Sequence, residues 1–334
     1  MKVKLLFLFL FIAILTGCSN KVERNIFAMN THMSITCYGR QAEGACQAAI
    51  EEIKRLDDLL SIGKLDSEVS ILNATGRGVL SDDTKTLLEF SLAMWKKTDK
   101  VFDVTIYPLM DKWGFISKNF NVPDDDSICE ALDLVGLDKI EYNSATGEIV
   151  LAPGQKLDFG GIAKGYTSDQ IGKILSRYKI KGAIVSLGGN VQVYGKKPDR
   201  KPWRCGIQDP FAHERNASVL GVVTVDNEAV ITSGAYERFF TDENGRIYHH
   251  IIDTSTGYPA ESDLESVTIV SKSGILADVL STSCFILGLE GSKALWEQYD
   301  RSFDMVLMTS DGTVYITAPL ENRFKTDRKL RILR

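Results

Sequence analysis

The segment that organises this sequence is a long apolar stretch, SKSGILADVLSTSCFILGL, at residues 271–289. Apolar residues occupy nearly the whole circumference of the helix it would form, which predicts a largely buried helix that begins at Ser273 or Gly274. Asp278 lies among these apolar residues, and Thr282 follows it one turn later on the same face. A buried carboxylate without a partner is costly, so Asp278 needs a hydrogen-bonded or charged neighbour.

Two interpretations of Asp278 remain open from this segment alone. The first is a structural aspartate that is held by hydrogen bonds or by a buried salt bridge. The second is a metal ligand, because a carboxylate, a hydroxyl, a backbone carbonyl and water together form an oxygen set that suits Mg²⁺.

The sequence upstream, from about residue 147 to residue 270, is dominated by short β-rich runs. One predicted helix, IAKGYTSDQIGKILSRY at residues 162–178, interrupts them. No linker rich in Pro, Gly or Ser divides this region, and DENG at residues 242–245 is typical of a hairpin turn. We therefore predict one α+β domain of antiparallel sheets with packed helices. The predicted strands are residues 147–153, 155–159, 182–187, 191–195, 218–225, 228–233, 236–240, 246–253 and 265–271.

The N-terminal half contains a predicted hairpin and several predicted helices. Residues 25–39 are rich in β-formers and alternate in polarity, which predicts a strand or a hairpin. Apolar residues at helical spacing predict helices over residues 42–61 and 84–98. The acidic stretch at residues 121–132 predicts a loop that leads into another short helix.

Composition and charge limit the classes of function. The chain has 334 residues, of which 44% are hydrophobic and 25% charged, and its formal net charge is −5. No basic stripe is visible and an acidic surface does not favour phosphate backbones, so we expect no nucleic-acid partner. Beyond Cys18, the cysteines are scattered, odd in number and without C-x-x-C spacing, which indicates neither a disulfide framework nor a zinc site and leaves their redox state open. They are Cys37, Cys46, Cys129, Cys205 and Cys284.

The first residues predict export from the cytoplasm. MKVK supplies two lysines, LLFLFLFIAIL is too short to span a bilayer as a helix, and small residues follow, as in a secretory signal. The sequence LTGC ends at Cys18 and is similar to a bacterial lipobox, whose cysteine is lipidated; a plain signal peptide is the alternative. We expect residues 1–17 to be removed and residues 18–25 to form a short tether. The mature chain would then be lipid-anchored to the cell membrane and face the periplasm or another extracytoplasmic side.

A candidate anion site follows a predicted strand in KLDFGGIAKGYTSDQIGKIL, at residues 156–175. Gly160 and Gly161 lie between Asp158 and the predicted helix, and glycines let a ligand approach the backbone closely. The helix N-terminus offers free N–H groups to an anion, and Lys164 in the first turn needs a negative partner. A phosphate or carboxylate nearby would satisfy both, although a tight turn without a ligand is the commoner reason for two glycines.

Two further segments are less specific. AIVSLGGNVQVYG at residues 183–195 consists of two β-runs joined through Gly-Gly-Asn, and a hairpin turn explains it without any ligand. In the run that ends HHIID, strand alternation places His249 and His250 on opposite faces of the sheet. One of them could act as a general base, and a structural role is the alternative.

Together and in this order, the motifs resemble those of one family, the bacterial FAD:protein FMN transferases or ApbE-type flavin transferases. The motifs that carry the resemblance are LDFGGIAKGY, SLGGNVQVYG, GIQDP, SGAYERFF, HHIIDTSTGYP and LADVLSTSCFILG. Matches also occur in FDVTIYPLMDKWGF at residues 102–115 and in SEVSILN at residues 67–73. The similarity runs from about residue 26 to about residue 320, and the lipobox is consistent with the many anchored members of this family.

The resemblance implies a T-fold-like α+β single domain, over residues 26–325, that binds FAD in a cleft together with Mg²⁺. It implies cleavage of the FAD pyrophosphate, attachment of FMN by a phosphoester bond to a Thr or Ser of an acceptor protein, and release of AMP. The acceptors it implies are subunits of sodium-pumping NADH:quinone oxidoreductase or Rnf-type complexes, or other extracytoplasmic flavin domains.

The resemblance also implies roles for individual residues. Asp278, Thr282 and the backbone carbonyl of Ala163 match metal-binding positions. His250 matches the histidine that activates the acceptor hydroxyl, and Lys164 and Asp278 are the other candidate catalytic residues. The residues implied to contact the flavin nucleotide are Met29, Asp103, Asp158, Lys164, Ser186, Gly188, Gly189, Tyr236 and His250.

Two positions depart from the family pattern. Asn30 stands where the family commonly has the glycine of Met-Gly-Thr, and Gly63 stands where a tyrosine often stacks on the flavin. Loss of that ring would remove about 1 kcal/mol of stacking energy. Mg²⁺-dependent hydrolysis of FAD to FMN and AMP is therefore the alternative activity. A flavin-binding lipoprotein without turnover is the alternative from a different class.

Overall fold

The computed structural model describes residues 21–212 and 219–334 of the chain. The predicted signal peptide and the predicted lipidation site Cys18 lie outside these residues. The described residues form an α+β domain, in agreement with the prediction from β-rich runs and amphipathic helices.

Seven α-helices and seventeen strands occur in the described residues. The helices are α1 Ala42–Leu60, α2 Glu68–Thr75, α3 Asp82–Lys97, α4 Tyr107–Lys112, α5 Asp125–Leu132, α6 Ala163–Arg177 and α7 Gly274–Gln298. The strands are β1 Lys21–Ala28, β2 Thr31–Tyr38, β3 Arg77–Val79, β4 Glu141–Tyr142, β5 Glu148–Val150, β6 Gly182–Leu187, β7 Asn190–Gly195, β8 Trp203–Gln208, β9 Val219–Val225, β10 Ala229–Gly234, β11 Phe239–Thr241, β12 Ile247–His249, β13 Leu264–Ser271, β14 Asp304–Thr309, β15 Val314–Thr317, β16 Phe324–Lys325 and β17 Leu330–Leu333.

Nine strands form the central sheet, in the order β1-β2-β6-β7-β10-β13-β14-β15-β17. Neighbouring strands are antiparallel, as predicted, except β15 and β17, which are parallel. β13 reads LESVTIVS and is almost continuously buried. The reason is that α7 packs on one of its faces while the small sheet of β8, β9 and β16 covers the other.

The helices α6 and α7 pack against each other and position the candidate site. Gly165 permits this close approach, because a Cβ atom there would lie 2.3 Å from the carbonyl oxygen of Gly274. Asp169 of α6 accepts hydrogen bonds from the backbone N–H groups of Gly274 at 2.8 Å and Ile275 at 3.1 Å. These bonds satisfy backbone donors that the first turn of α7 would otherwise leave free. Asp169 therefore helps to set how α6 and α7 pack against each other.

The predicted start of α7 is confirmed, since Ser273 is its N-cap and accepts a hydrogen bond from the backbone N–H of Leu276 at 3.3 Å. The helix continues to Gln298 and is kinked at Gly288, where φ is +69°. Within the described part of the chain, α7 alone has the length and apolar composition to cross a membrane. More than half of that stretch is buried inside the protein, which is typical of a core helix.

Two boundaries of the domain differ from the prediction. Residues 21–25, expected in the tether, form the first part of β1, where Val22 pairs with Cys37 of β2. Alternating polar residues made this edge strand look like a linker, although its apolar positions pack on the core. At the other end β17 pairs with β15, so the folded domain extends beyond residue 325.

The predicted strand at residues 155–159 is wrong, since these residues are extended but join no sheet. The side chain of Asn73 takes the place of a strand partner. Its Nδ2 donates to the carbonyl of Leu157 at 2.8 Å, and its Oδ1 accepts from the backbone N–H of Leu157 at 2.7 Å. Because one amide side chain satisfies these backbone groups, no neighbouring strand is required.

The other predicted elements occur with bounds that differ by at most a few residues. The helices predicted over residues 42–61, 84–98 and 162–178 are confirmed as α1, α3 and α6. The strands predicted at residues 236–240 and 246–253 shorten to β11 and β12. Tyr236 therefore lies in the turn before β11, because the chain bends out of the central sheet there.

Candidate active site

Asp278 lies at the interface of α6 and α7 and is 5% exposed. Its Oδ2 accepts a hydrogen bond from the backbone N–H of Gly165 at 2.8 Å, and its Oδ1 accepts one from Nδ2 of Asn190 at 2.9 Å. Gly165 is in the first turn of α6, so the carboxylate occupies the positive end of that helix. Burial raises the pKa of Asp278, while Lys164 and the two donors oppose the rise.

Thr282 and Ala163, the other predicted metal ligands, lie on the same two helices. Oγ1 of Thr282 is 3.4 Å from Oγ of Ser233 on β10. The carbonyl of Ala163 accepts a hydrogen bond from Oγ1 of Thr167 at 2.7 Å, and a carbonyl oxygen has a second lone pair for a further partner. Carboxylate, hydroxyl and carbonyl oxygens are thus carried by two helices that pack against each other, and oxygen donors of these types fit a hard cation such as Mg²⁺. The described residues contain no group of three or more His, Cys, Asp and Glu side chains that could hold a metal.

Five ionisable side chains form what we call the charged cluster, centred on Lys164 in the first turn of α6. The charge of Lys164 acts on Asp158, Glu237, His250 and Asp278, which come from separate parts of the chain. Apart from Asp278, these side chains retain some contact with solvent, and Glu237 is the most exposed of them. The structure therefore brings together residues that the sequence indicated in separate motifs.

Two further carboxylates in this cluster have raised pKa values. Asp158 accepts a hydrogen bond from the backbone N–H of Gly160 at 2.8 Å. Desolvation raises its pKa, and this bond, Arg238 and Lys164 oppose the rise. Glu237 is exposed to solvent, but the surrounding protein displaces enough water to raise its pKa to about 7 despite the opposing charge of Lys164. Carboxylates in this setting would bind a proton or a cation more readily than they do in water.

His250 is held in a single tautomer by the backbone. Its Nδ1 lies 3.1 Å from the carbonyl oxygen of Arg238, which also accepts the backbone N–H of His250 at 3.0 Å. Because a carbonyl oxygen can only accept, we assign the proton to Nδ1 and leave Nε2 as the unprotonated nitrogen. Desolvation lowers the pKa of His250 to about 3, and the charges of Arg238 and Lys164 contribute to this shift. His250 is thus a neutral imidazole whose Nε2 can accept a proton.

His249 is the last residue of β12 and has a different environment from His250, which follows the strand. Its Nε2 lies 3.2 Å from the carbonyl oxygen of Ala260, and its ring meets that of Phe285 edge-on at 5.5 Å. Burial lowers the pKa of His249. It has the structural role that the sequence left open for one of the two histidines.

The comparison with protein families covers this whole site. The sequence profile of the ApbE family matches residues 29–307, a range that includes every member of the charged cluster. The chain belongs to the ApbE family. The match confirms the resemblance that the motifs indicated, and it covers far more than half of the sequence.

Relatives in the ApbE family are similar along most of their length. The FAD:protein FMN transferase of Klebsiella pneumoniae (strain 342) is 32% identical over 287 residues, which cover 84% of this chain and 87% of that protein. The FAD:protein FMN transferase of Treponema pallidum (strain Nichols) is 32% identical over 326 residues, covering 91% and 88%. The crystal structure of the ApbE protein of Thermotoga maritima matches with a TM-score of 0.81 at 30% identity, covering 88% of this chain and 96% of that one. The α+β single-domain fold is thus confirmed.

In this ApbE family member the Gly-Gly-Asn segment forms the predicted hairpin turn and also serves the site. Gly188 and Gly189 have φ values of +63° and +94°, which favour glycine. Asn190 follows them, is 5% exposed, and donates to Asp278. The sequence does not single out Asn190, because a hairpin turn accounts for an asparagine without any partner. The burial of β7, which begins at this residue, is a property of the tertiary structure, so no local signal identifies Asn190.

The other residues implied to contact the flavin nucleotide are more dispersed. Met29 lies in the β1–β2 turn, where its backbone N–H donates to Oδ1 of Asp57 at 2.9 Å. Its sulfur is 3.9 Å from Oγ1 of Thr167, which places Met29 against α6. Ser186 is on β6, two residues before the Gly-Gly turn, and Tyr236 directly precedes a member of the charged cluster. Their contacts with a nucleotide stay predictions.

Both carboxylate oxygens of Asp103 accept hydrogen bonds from nearby residues. Its Oδ1 accepts hydrogen bonds from the backbone N–H of Thr105 at 2.8 Å and from its hydroxyl at 2.6 Å, and its Oδ2 accepts one from the backbone N–H of Leu137 at 3.2 Å. Burial raises the pKa of Asp103, and these donors oppose the rise. The carboxylate therefore ties two loops together, and its implied contact with the flavin nucleotide stays a prediction.

Proposed function

We propose that this protein is an FAD:protein FMN transferase. It cleaves the pyrophosphate of FAD, joins FMN by a phosphoester bond to a Thr or Ser of an acceptor flavoprotein, and releases AMP. The observation that carries the proposal is His250, whose Nε2 is free to accept a proton in the same cluster as Lys164 and Asp278. A neutral base beside cations suits the transfer of a phosphorus group to a hydroxyl, because the base accepts the proton and the cations stabilise the negative charge. The names of the curated relatives in the ApbE family support it.

His250 acts on the acceptor. The acceptor hydroxyl gives its proton to Nε2 of His250 while its oxygen forms a bond to the phosphorus of the FMN half. The bond from this phosphorus to the bridging oxygen breaks, and AMP leaves with the electron pair. The low pKa keeps His250 neutral near pH 7, and a bound pyrophosphate strengthens it as a base, because nearby negative charge favours the protonated form. The hydrogen bond from Nδ1 to the carbonyl of Arg238 keeps the ring oriented during this step.

The cations and the start of α6 hold the substrate. Lys164 in the first turn of α6 and Arg238 before β11 are positive groups at the charged cluster. The guanidinium of Arg238 is fixed by a hydrogen bond to the carbonyl of Phe115 at 3.1 Å, so it is available in one position. Both side chains reduce the charge of the pyrophosphate and so lower the barrier to attack by an oxygen nucleophile.

Asp278, Thr282 and the carbonyl of Ala163 hold Mg²⁺ in this proposal. When bound, the ion supplies positive charge that stabilises the pyrophosphate. Gly165 and Asn190 keep the Asp278 carboxylate in place, and a carboxylate has acceptor positions beyond the two that they use. The preformed geometry lowers the cost of organising the ligands.

The acceptor and the location are inferred from the sequence. The lipobox at Cys18 supports a lipid-anchored protein on the extracytoplasmic side of the cell membrane. Acceptors there would be flavoprotein subunits of Rnf-type complexes or of sodium-pumping NADH:quinone oxidoreductase, or other extracytoplasmic flavin domains. The family resemblance supports this set.

Mg²⁺-dependent hydrolysis of FAD to FMN and AMP is the second candidate activity, and Gly63 favours it. A Cβ atom at Gly63 would meet only Oγ of Ser61, at 3.8 Å, so the space around this position is open. An aromatic residue would fit there and could cover the flavin. Without it, water can compete with the acceptor hydroxyl for the phosphorus atom. A flavin-binding protein without turnover is the third candidate.

One incubation separates the three activities. It contains the purified protein, FAD, Mg²⁺ and an acceptor domain with a flavinylation Thr, and it is read by in-gel flavin fluorescence and by chromatography of the nucleotides. Transfer gives a fluorescent acceptor and one AMP for each label. Free FMN and AMP without a label would indicate hydrolysis, and unchanged FAD would indicate binding alone.

Two matched controls assign the chemistry. An acceptor with Thr→Ala should give no label, because the nucleophilic oxygen is absent. His250→Gln should slow labelling by about 10²–10⁴-fold, the usual contribution of a general base. Labelling by His250→Gln at the wild-type rate would remove His250 from the mechanism.

A further inference from the structure

We infer that Cys37 and Cys46 form a disulfide bond that fastens the first hairpin to α1. Cys37 lies on β2 and Cys46 in the first part of α1. Both side chains are completely buried and belong to the same core cluster. Neither residue belongs to the charged cluster, so the inference does not depend on the proposed function.

Several contacts place the two sulfur atoms in one small region. Val22 of β1 is the register partner of Cys37, and the sulfur of Cys46 lies 3.7 Å from the carbonyl oxygen of Val22. Cys46 is the largest influence on the pKa of Cys37, and Cys37 is the largest favourable influence on that of Cys46, as expected for neighbouring thiols. The Cys46 side chain is thus directed at Cys37 and its strand partner.

The packing of α1 permits a covalent bond at this place. A disulfide requires Cα atoms about 5.5–6 Å apart, which is closer than a helix with large side chains can approach a strand. Ala42, Ala45 and Ala49 are completely buried around Cys46 and face the same core cluster as Cys37. These small side chains allow α1 to lie directly on β2.

The thiolate is the nucleophile that attacks a disulfide oxidant. Either cysteine of the pair can supply it while the chain is folding, before the core has closed over the two sulfurs.

The reaction balances with a small disulfide such as oxidised glutathione. One of the two cysteine thiolates attacks one glutathione sulfur, forms a mixed disulfide and releases one glutathione thiolate. The other cysteine thiolate then attacks the cysteine sulfur of the mixed disulfide, forms the Cys37–Cys46 bond and releases the second glutathione. The pair loses two electrons and two protons in total, and oxidised glutathione gains them. Both sulfurs are buried in the folded protein, so the exchange takes place during folding.

The bond would complete the attachment of the β1–β2 hairpin to α1. The turn end of the hairpin is already held, since the backbone N–H of Met29 donates to Asp57 near the end of α1. The disulfide would hold the open end of the hairpin at the start of the same helix. The hairpin would then be fixed to α1 at both ends.

Peptide mapping tests the inference on the full-length protein. The protein is unfolded in reductant, refolded with reduced and oxidised glutathione, denatured without reductant in the presence of an alkylating agent, and digested with trypsin. Cleavage after Arg24, Arg40 and Lys54 places each cysteine in its own peptide, residues 25–40 and residues 41–54. We expect these two peptides to be linked, with a mass about 2 Da below their sum because two hydrogens are lost. Both cysteines recovered in alkylated form, or a link to a different cysteine, would overturn the inference.

The remaining cysteines supply matched controls. Cys205 and Cys284 are buried in separate core clusters and Cys129 is exposed, so all three should be alkylated in the same digest. Reductant should lower the thermal unfolding midpoint of the wild type and of Cys205→Ser, but not that of Cys46→Ser. An equal response of all three proteins would contradict the bond. If Cys46→Ser does not fold, the wild-type peptide map decides by itself.

Discussion

Asp103 and Asp278 are two buried aspartates in motifs shared with the ApbE family, and burial raises the pKa of both. Their neighbours differ. Asp103 receives backbone N–H groups on both oxygens, from Thr105 and from Leu137. Asp278 receives a backbone N–H on one oxygen and the side-chain amide of Asn190 on the other. The side-chain amide of Asn190 can rotate, whereas backbone N–H groups cannot. The surroundings of Asp278 can therefore adapt to a ligand, and those of Asp103 cannot.

The largest expected effect is the loss of turnover in Asp278→Asn. Asn190 can rotate its amide to accept from the new side chain, so the fold should tolerate the change, with a free energy of unfolding within about 1 kcal/mol of the wild type or above it. FMN transfer should fall by about 10²-fold or more, because the only carboxylate of the proposed Mg²⁺ site is lost. Transfer assays and urea unfolding measure the two effects. Activity near the wild-type level would make Asp278 a structural residue like Asp103.

Asp103→Asn should lower the free energy of unfolding more than it lowers turnover, the opposite of Asp278→Asn. In either orientation the amide group faces a backbone N–H, of Thr105 or of Leu137, and one buried donor is left without an acceptor. An unsatisfied buried donor costs about 1–3 kcal/mol, so the free energy of unfolding should fall by about 2 kcal/mol. Urea unfolding checks this value. A loss of turnover without a loss of stability would instead support the contact between Asp103 and the flavin nucleotide that the family resemblance implied.

Asn190→Ala tests whether Asn190 supports the Asp278 carboxylate as a metal ligand. Removal of this support should weaken Mg²⁺ binding by about tenfold, the lower end of the effects seen for residues that hold a metal ligand. Isothermal calorimetry with Mg²⁺ measures the change without any turnover. Thr105→Val is the matched control, since it removes a donor from Asp103 and should leave Mg²⁺ affinity unchanged. Equal effects of the two substitutions would mean that Asn190 does not act through Asp278.

The smallest expected effect is a pH dependence of stability in the presence of EDTA. The pKa of Asp278 in the folded state lies above its ordinary value of 3.8, so the folded protein binds this proton more tightly than the unfolded chain. Stability contributed by the protonated group is complete below pH 3.8 and is lost as the pH rises through the folded-state value. The wild type should therefore lose stability relative to Asp278→Asn over this range, as measured by urea unfolding at a series of pH values. A difference that stays constant with pH would show that burial does not perturb this carboxylate.

Much of the site could be predicted from the sequence because its motifs are local. The start of α7 and the Gly-Gly turn follow from short-range rules of capping and turn formation. The prediction of a strand at residues 155–159 is wrong because it, too, used only local information. The partner of this segment is the side chain of Asn73, more than eighty residues away in the chain, and periodicity carries no information about it.

The sequence by itself determined the α+β class, the family, and the chemical types of the groups that carry the proposed function. Hydrophobic periodicity and motif order express these properties directly. Only the tertiary structure decided which groups meet. It directed Asn190 and Gly165 to Asp278, fixed the tautomer of His250 through the carbonyl of Arg238, and placed Cys37 beside Cys46. Hydrogen bonds and desolvation depend on distances between atoms that are remote in the chain, and those distances exist only once the core has packed.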